Sequence, residues 1–215
     1  TRIYGAIRAN GGSSDMATGG SGGSVYLVTG ELEGNGVLDA QGENGADSCW
    51  GGGGGRIAVI MTNSDSFGSV TMQAFGGYDS LGVCGSPGTI YRAGKSQGEN
   101  GGIITIGNNG LVPDTSTPLP WEVDPPPSPQ TTSELVHASL TLTSSAKVHL
   151  SSHLRMMDLT SLASGTTLGL STYTFYLVTN EHAIGSGTVT SNGGRIQWGD
   201  VPVTYLLTVR QGPNG

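Results

Sequence analysis

One phrase recurs three times in the first hundred residues: a short apolar strand, a glycine-studded loop carrying one aspartate, a Gly-Gly run, and a second strand. The first strands lie in Ile7–Gly11, Leu38–Gly42 and Met72–Gly76, and the second in Ser24–Leu27, Arg56–Val59 and Thr89–Arg92. Ala9 and Ala40 are 31 residues apart and Ala40 and Ala74 are 34, while Val25, Ile57 and Ile90 are spaced by 32 and 33. Two independent anchors therefore agree on one period, which marks a structural repeat. A β-rich unit of this length cannot bury its apolar face alone and does so by stacking on its neighbours. The expectation is an all-β solenoid, a right-handed parallel β-helix with glycine-rich loops.

Composition narrows the alternatives. The 215 residues include 38 glycines, and only 12% are charged. Collagen is excluded because glycine does not fall at every third position, and regular apolar strands argue against a disordered chain. The formal net charge is −7, with two lysines and seven arginines scattered singly. No basic stripe marks a nucleic-acid or anionic-membrane surface, and no apolar run reaches the length of a membrane span. The sequence opens at Thr1 in strand-like residues and reads as a processed form or an excerpt from a longer protein. No Asn-x-Ser/Thr sequon occurs, so N-glycosylation is not expected.

Three regions follow from the pattern: glycine-rich repeats over 1–110, a proline-rich linker over 111–133, and a second β-rich unit over 134–215. Within the first, Ile103–Ile106 reads as an abbreviated fourth rung, followed by an Asn108-Asn109-Gly110 turn. The run Pro125-Pro126-Pro127-Ser128-Pro129 favours extended polyproline II, a semi-rigid connector with Trp121 as an anchor. The same residues are candidates for O-linked sugar or for docking a proline-recognising module. After Glu134 strands are expected at Leu135–Leu142, Lys147–Leu150, Thr167–Leu170, Tyr173–Val178, Thr188–Thr190, Arg195–Trp198 and Val203–Val209. Leu154–Leu162 reads as a bent strand in preference to a helical turn. This unit either continues the β-helix or forms a β-sandwich, and the echo of Gly54-Gly55-Arg56-Ile57 in Gly193-Gly194-Arg195-Ile196 favours continuation.

Chemistry concentrates in the loops. Asp15, Asp47 and Asp79 fall 6, 7 and 5 residues after the repeat alanines, so stacking aligns them in a column. Turn chemistry explains them first, because aspartate hydrogen-bonds nearby backbone N–H groups. A calcium ladder is the alternative, since such loops present carboxylate and carbonyl oxygens, and calcium is the one cofactor the sequence suggests. Cys49 and Cys84 lie 9 and 10 residues after Ala40 and Ala74. Stacked strands are about 4.8 Å apart, a spacing a disulfide spans, so a Cys49–Cys84 bridge and an oxidising compartment are expected.

Catalytic signals are poor. Glu31 and Glu33 read as a solvated strand edge near Asp39, and His137, His149, His153 and His182 lack metal or triad spacing and read as solvated histidines. Gly51–Gly55 is not a phosphate loop, because Arg56 opens a strand where a helix would be needed. No catalytic residue is assigned, and the chain is expected to be non-enzymatic.

The phrases GGSGGSVYLVTGELEGNGVLDAQGENG, GGGGGRIAVIM and GSPGTIYRAG resemble the glycine-rich parallel β-helix repeats of cell-surface and secreted proteins, adhesin-like proteins and filament or cell-coat components among them. The resemblance covers about residues 5–107. It implies an extracellular structural role in a fibre, stalk or coat, with self-association as the main partnership. Pro125–Pro129 also resembles hydroxyproline-rich segments of algal and plant wall glycoproteins. Related β-helices include polysaccharide lyases and hydrolases, whose clustered Asp, Lys or Arg have no counterpart here. The alternative reading is a carbohydrate-binding or carbohydrate-degrading module using Tyr26, Trp50, Tyr78, Tyr91 or Trp198, or an adhesin that binds a protein receptor.

Overall fold

The computed structural model describes residues 1–13, 18–46, 50–98, 100–119 and 134–199. They are all-β apart from a short 3-10 helix, Glu134–His137. The first strands of the three repeats are β1 (Ala6–Arg8), β3 (Val37–Asp39) and β5 (Thr71–Gln73), which form one parallel sheet in the order β1-β3-β5. The second strands are β2 (Ser24–Thr29), β4 (Arg56–Met61) and β6 (Thr89–Ala93), also parallel to one another.

The register is the one the repeat implies. Ile7 pairs with Leu38 and Leu38 with Met72, while Val25 pairs with Ile57 and Ile57 with Ile90. Equivalent apolar residues thus stack on each other, because any one-residue slip would turn them all to the other face. Leu38, Ala40, Ile57, Val59, Met61 and Ala74 form the buried core between the two sheets. The alternation is clearest in β4, where Arg56–Met61 runs exposed, buried, half-buried, buried, half-buried, buried.

Ile103–Gly107 forms β7, but it is not a fourth rung in the same direction: it runs antiparallel to β6, with Tyr91 opposite Ile104. Only nine residues separate Ala93 from Ile103, too few for another strand-loop-strand circuit. Instead Gln97 N–H and Gly98 N–H donate to Gly94 O and close a tight turn. The antiparallel junction reverses the direction of the strands, while later strands still add on the side away from β2. A single six-stranded sheet, β12-β9-β7-β6-β4-β2, runs across it.

Beyond the junction the strands are β8 (Thr117–Leu119), β9 (Ser139–Thr143), β10 (Lys147–Leu150), β11 (Leu154–Met156) and β12 (Asp158–Leu162). They are followed by β13 (Thr167–Gly169), β14 (Thr174–Leu177), β15 (Thr188–Thr190) and β16 (Arg195–Gln197). The bent-strand expectation for Leu154–Leu162 holds as β11 and β12, whereas Glu134–His137 coils before β9 begins. All pairings here are parallel, forming the sheets β15-β13-β10-β8 and β11-β14-β16 besides the shared one. Partners such as Ser139 and Asp158, or Leu154 and Phe175, are 19 and 21 residues apart, a shorter circuit than in the first half. Its core is correspondingly leucine-rich: Leu140, Leu142, Leu150, Leu159, Leu168 and Phe175 are fully buried. Trp121, Pro125–Pro129 and the expected strand Val203–Val209 lie outside the described residues.

Candidate functional site

The distinctive construction is a layer of glycine-rich backbone beside the two sheets of the first half. Its segments follow β1, β3 and β5 and precede β2, β4 and β6, and none of their described residues lies in a named strand. One hydrogen bond closes each circuit: Gly23, Gly55 and Gly88 N–H donate to Ala9, Ala40 and Ala74 O at 2.6, 2.7 and 2.8 Å. Others join successive circuits, with Gly22 N–H donating to Gly53 O and Gly54 N–H to Ser86 O, each at 2.9 Å. On the far side, Gly11 N–H donates to Gln41 O and Gly42 N–H to Phe75 O.

This packing dictates glycine. A Cβ on Gly54 would fall onto the carbonyl oxygen of Ala74 and lie 2.5 Å from Gly88 N. Backbone meets backbone where a side chain would stand, the same reason glycine is required at the axis of a triple helix. Peptide groups that strands would otherwise satisfy are thereby paired.

The layer ends on Asn108, whose side chain is fully buried. Its Oδ1 accepts from Gly76 N–H at 2.8 Å, and its Nδ2 donates to Gly85 O at 3.2 Å and Leu111 O at 3.1 Å. One side-chain amide thus supplies the acceptor and the donor that the backbone of another circuit would provide. The sequence shows Asn108 only as part of an Asn-Asn-Gly turn.

The loop residues singled out by spacing are only partly within the described region. Asp15, Asp47 and Cys49 lie outside it. Asp79 serves its own turn: Oδ1 accepts from Leu81 N–H at 2.9 Å and Val83 N–H at 2.6 Å, and the side chain is 3% exposed. Its Oδ2 is buried without a hydrogen-bond partner. Cys84 is a buried thiol donating to Gly82 O at 3.3 Å, and no disulfide is present among the described residues. Burial, then the charges of Asp114 and Asp79, push the Cys84 thiol above its ordinary value.

The three carboxylates weighed for acid–base chemistry do not converge. Glu33 pairs with Arg2 at 2.7 Å, and Glu31 is exposed. Asp39 is buried in an amide ladder, accepting from Asn10 Nδ2 at 2.9 Å and Gln41 Nε2 at 2.8 Å. Two of the histidines depart from the solvated expectation. His149 Nδ1 lies 2.7 Å from Ser116 Oγ, and His153 Nδ1 accepts from Thr174 N–H at 3.0 Å. His182 packs edge-on against Trp198, 5.0 Å between centroids, and lies 3.5 Å from Asp158. His137 is exposed.

Of the five aromatics proposed to form a sugar-stacking face, Tyr26 and Tyr91 come together. They flank Ala58 in one cross-strand row and line a groove of about 390 Å³ on the shared sheet. Tyr78 belongs to a separate groove beside the glycine layer, Trp50 is exposed next to Gly51, and Trp198 is half-buried against the second core. No group of three or more metal-binding side chains occurs among the described residues, and no described helix is long and apolar enough to cross a membrane. Comparison with protein-family models, with curated proteins and with solved structures gives no match to this chain.

Proposed function

We propose that this chain is a non-enzymatic structural protein of the extracellular space, a right-handed parallel β-helix segment of a surface fibre, stalk or coat. The observation that carries the reading is the glycine layer. Backbone packed against backbone over three repeats builds a wall of paired peptide groups at positions where a side chain does not fit. Parallel, in-register pairing on both sides of the β6–β7 junction supports the β-helix assignment and its continuation beyond residue 134. The extracellular placement leans on the expected Cys49–Cys84 bridge, which an unreduced intact-mass measurement tests.

Self-association is the associated proposal. Among the described residues, β2 has a strand partner on one side only. Ile7 is 44% exposed although its row partner Leu38 is fully buried, and Tyr4 close to it in the chain and Tyr26 and Val28 on β2 are exposed. An uncovered strand edge beside apolar residues is a template for another chain. Sedimentation velocity across a concentration range, with electron microscopy of the products, tests this. The reading predicts concentration-dependent association into end-joined particles; a monomer at every concentration contradicts it.

The alternative, a carbohydrate-binding module, is favoured by the Tyr26–Ala58–Tyr91 groove, where two rings flank a small residue. A glycan array distinguishes it: binding abolished by alanine at Tyr26 and Tyr91 would reverse the ranking.

A further inference from the structure

The sheet β15-β13-β10-β8 carries a second groove, of about 340 Å³, on its outer face. Its centre is one cross-strand row, His149 on β10, Gly169 on β13 and Thr190 on β15. Lys147 and Thr167 form the neighbouring row, and Ser116, Val148, Ser171, Ser191 and Asn192 complete the described lining. Hydroxyls, one amide, one imidazole and one ammonium face this space. No carboxylate lines it among the described residues, although the chain as a whole carries a net charge of −7.

Gly169 opens the groove, and for a different reason from the glycines of the packed layer. A Cβ here would lie 3.4 Å from His149 Cβ and 3.5 Å from Thr190 Oγ1, ordinary contact distances. Backbone packing therefore does not demand glycine; its missing side chain leaves a notch between the imidazole and the threonine. Ser116 Oγ holds His149 Nδ1 at 2.7 Å, which fixes the ring and leaves its other nitrogen as a polar group for a ligand.

We propose that this groove binds a sulfated polysaccharide strand. Lys147 supplies a compact point charge that suits an oxyanion. The hydroxyl and amide groups spread over adjacent parallel strands match the hydroxyls of a polymeric sugar. Among the described residues the lining is mostly polar and holds no Phe, Tyr or Trp ring, so the charged ester and the sugar hydroxyls are the elements this groove offers to recognise.

The test is calorimetric titration of the full chain with dextran sulfate, unsulfated dextran, dextran phosphate, inorganic sulfate and inorganic phosphate, at protein concentrations below any association. Dextran sulfate binds and unsulfated dextran does not; dextran phosphate binds more weakly and the free anions bind weakest. Lys147→Ala, His149→Ala and Gly169→Val each weaken binding by at least about tenfold, a loss of about 1.4 kcal/mol. The Gly169 variant keeps the unfolding temperature of the parent, and Gly169→Ala gives a smaller loss in case valine perturbs the strand. Val112→Ala, at an exposed position outside the groove lining, leaves binding unchanged. Equal binding of both dextrans, dextran phosphate binding as tightly as the sulfate, no binding at all, or indifference to the three substitutions overturns the proposal.

Discussion

At the scale of single residues, the same amino acid does unlike jobs. Gly54 is glycine because Ala74 O and Gly88 N occupy the space of a Cβ, whereas a Cβ on Gly5 would meet nothing within 4 Å. Gly54→Ala is predicted to cost about 3 kcal/mol or more, the scale of overpacking against a backbone that cannot yield. Gly5→Ala should stay within about 0.5 kcal/mol of the parent. Denaturant unfolding of both variants checks the contrast, and similar costs would remove the packed-layer explanation. A second residue-scale prediction concerns Asp65. Ser96 N–H and Ser96 Oγ–H both donate to its Oδ1 at 2.9 Å, and these bonds, the backbone one first, hold the carboxyl below its ordinary value of 3.8, with a smaller contribution from Lys95. A carboxylate depressed in the folded state contributes stability that is present above its unfolded value and is lost as pH falls through the folded one. Ser96→Ala should therefore raise the Asp65 midpoint toward 3.8, read by carboxyl NMR titration. An unchanged midpoint would show that the Ser96 hydroxyl contributes nothing.

Among elements, the informative ones are those that end or reverse the stack. Asn108 terminates the glycine layer by presenting an amide where peptide groups of another circuit would lie. Asn108→Ala leaves Gly76 N–H and Gly85 C=O buried without these partners, and should cost about 3 kcal/mol, since each unmet buried group costs about 1–3. Asn108→Gln, with the same amide on a longer stem, recovers part of that loss; equal stability of the alanine variant and the parent would refute the capping role. What the sequence made legible at this scale was periodic. The alanine and valine–isoleucine anchors gave the register of six strands, because an alanine carbonyl and a Gly-Gly pair meet once in every circuit. The β6–β7 reversal escaped because Ile103–Ile106 has the same apolar look in either direction, and the deciding signal was the shortness of the connection before it. Asn108 and the Ser116–His149 pair escaped for another reason: their partners lie 32 and 33 residues away, and no local pattern announces them.

At the scale of the whole molecule, the described glycine-rich segments are structured wall and not loose connection. Two sets of parallel strands, with different sequence spacing between partners, meet at the antiparallel β6–β7 pair, and the glycine layer flanks the first of them. The proposed role as a building element rests on this wall and on the edge that β2 leaves unpaired among the described residues, and the proposed groove on the second half would let such an element hold a matrix polymer. The repeat itself was visible from composition and spacing; the wall was not, because nothing in a glycine run says whether its peptide groups face water or one another. Amide hydrogen exchange measured by NMR separates these directly. The account predicts that the amides of Gly22, Gly54, Gly55 and Gly88, none of them in a strand, are protected as strongly as those of β4. Exchange of these glycine amides at the rate of an open loop, while β4 remains protected, would contradict it.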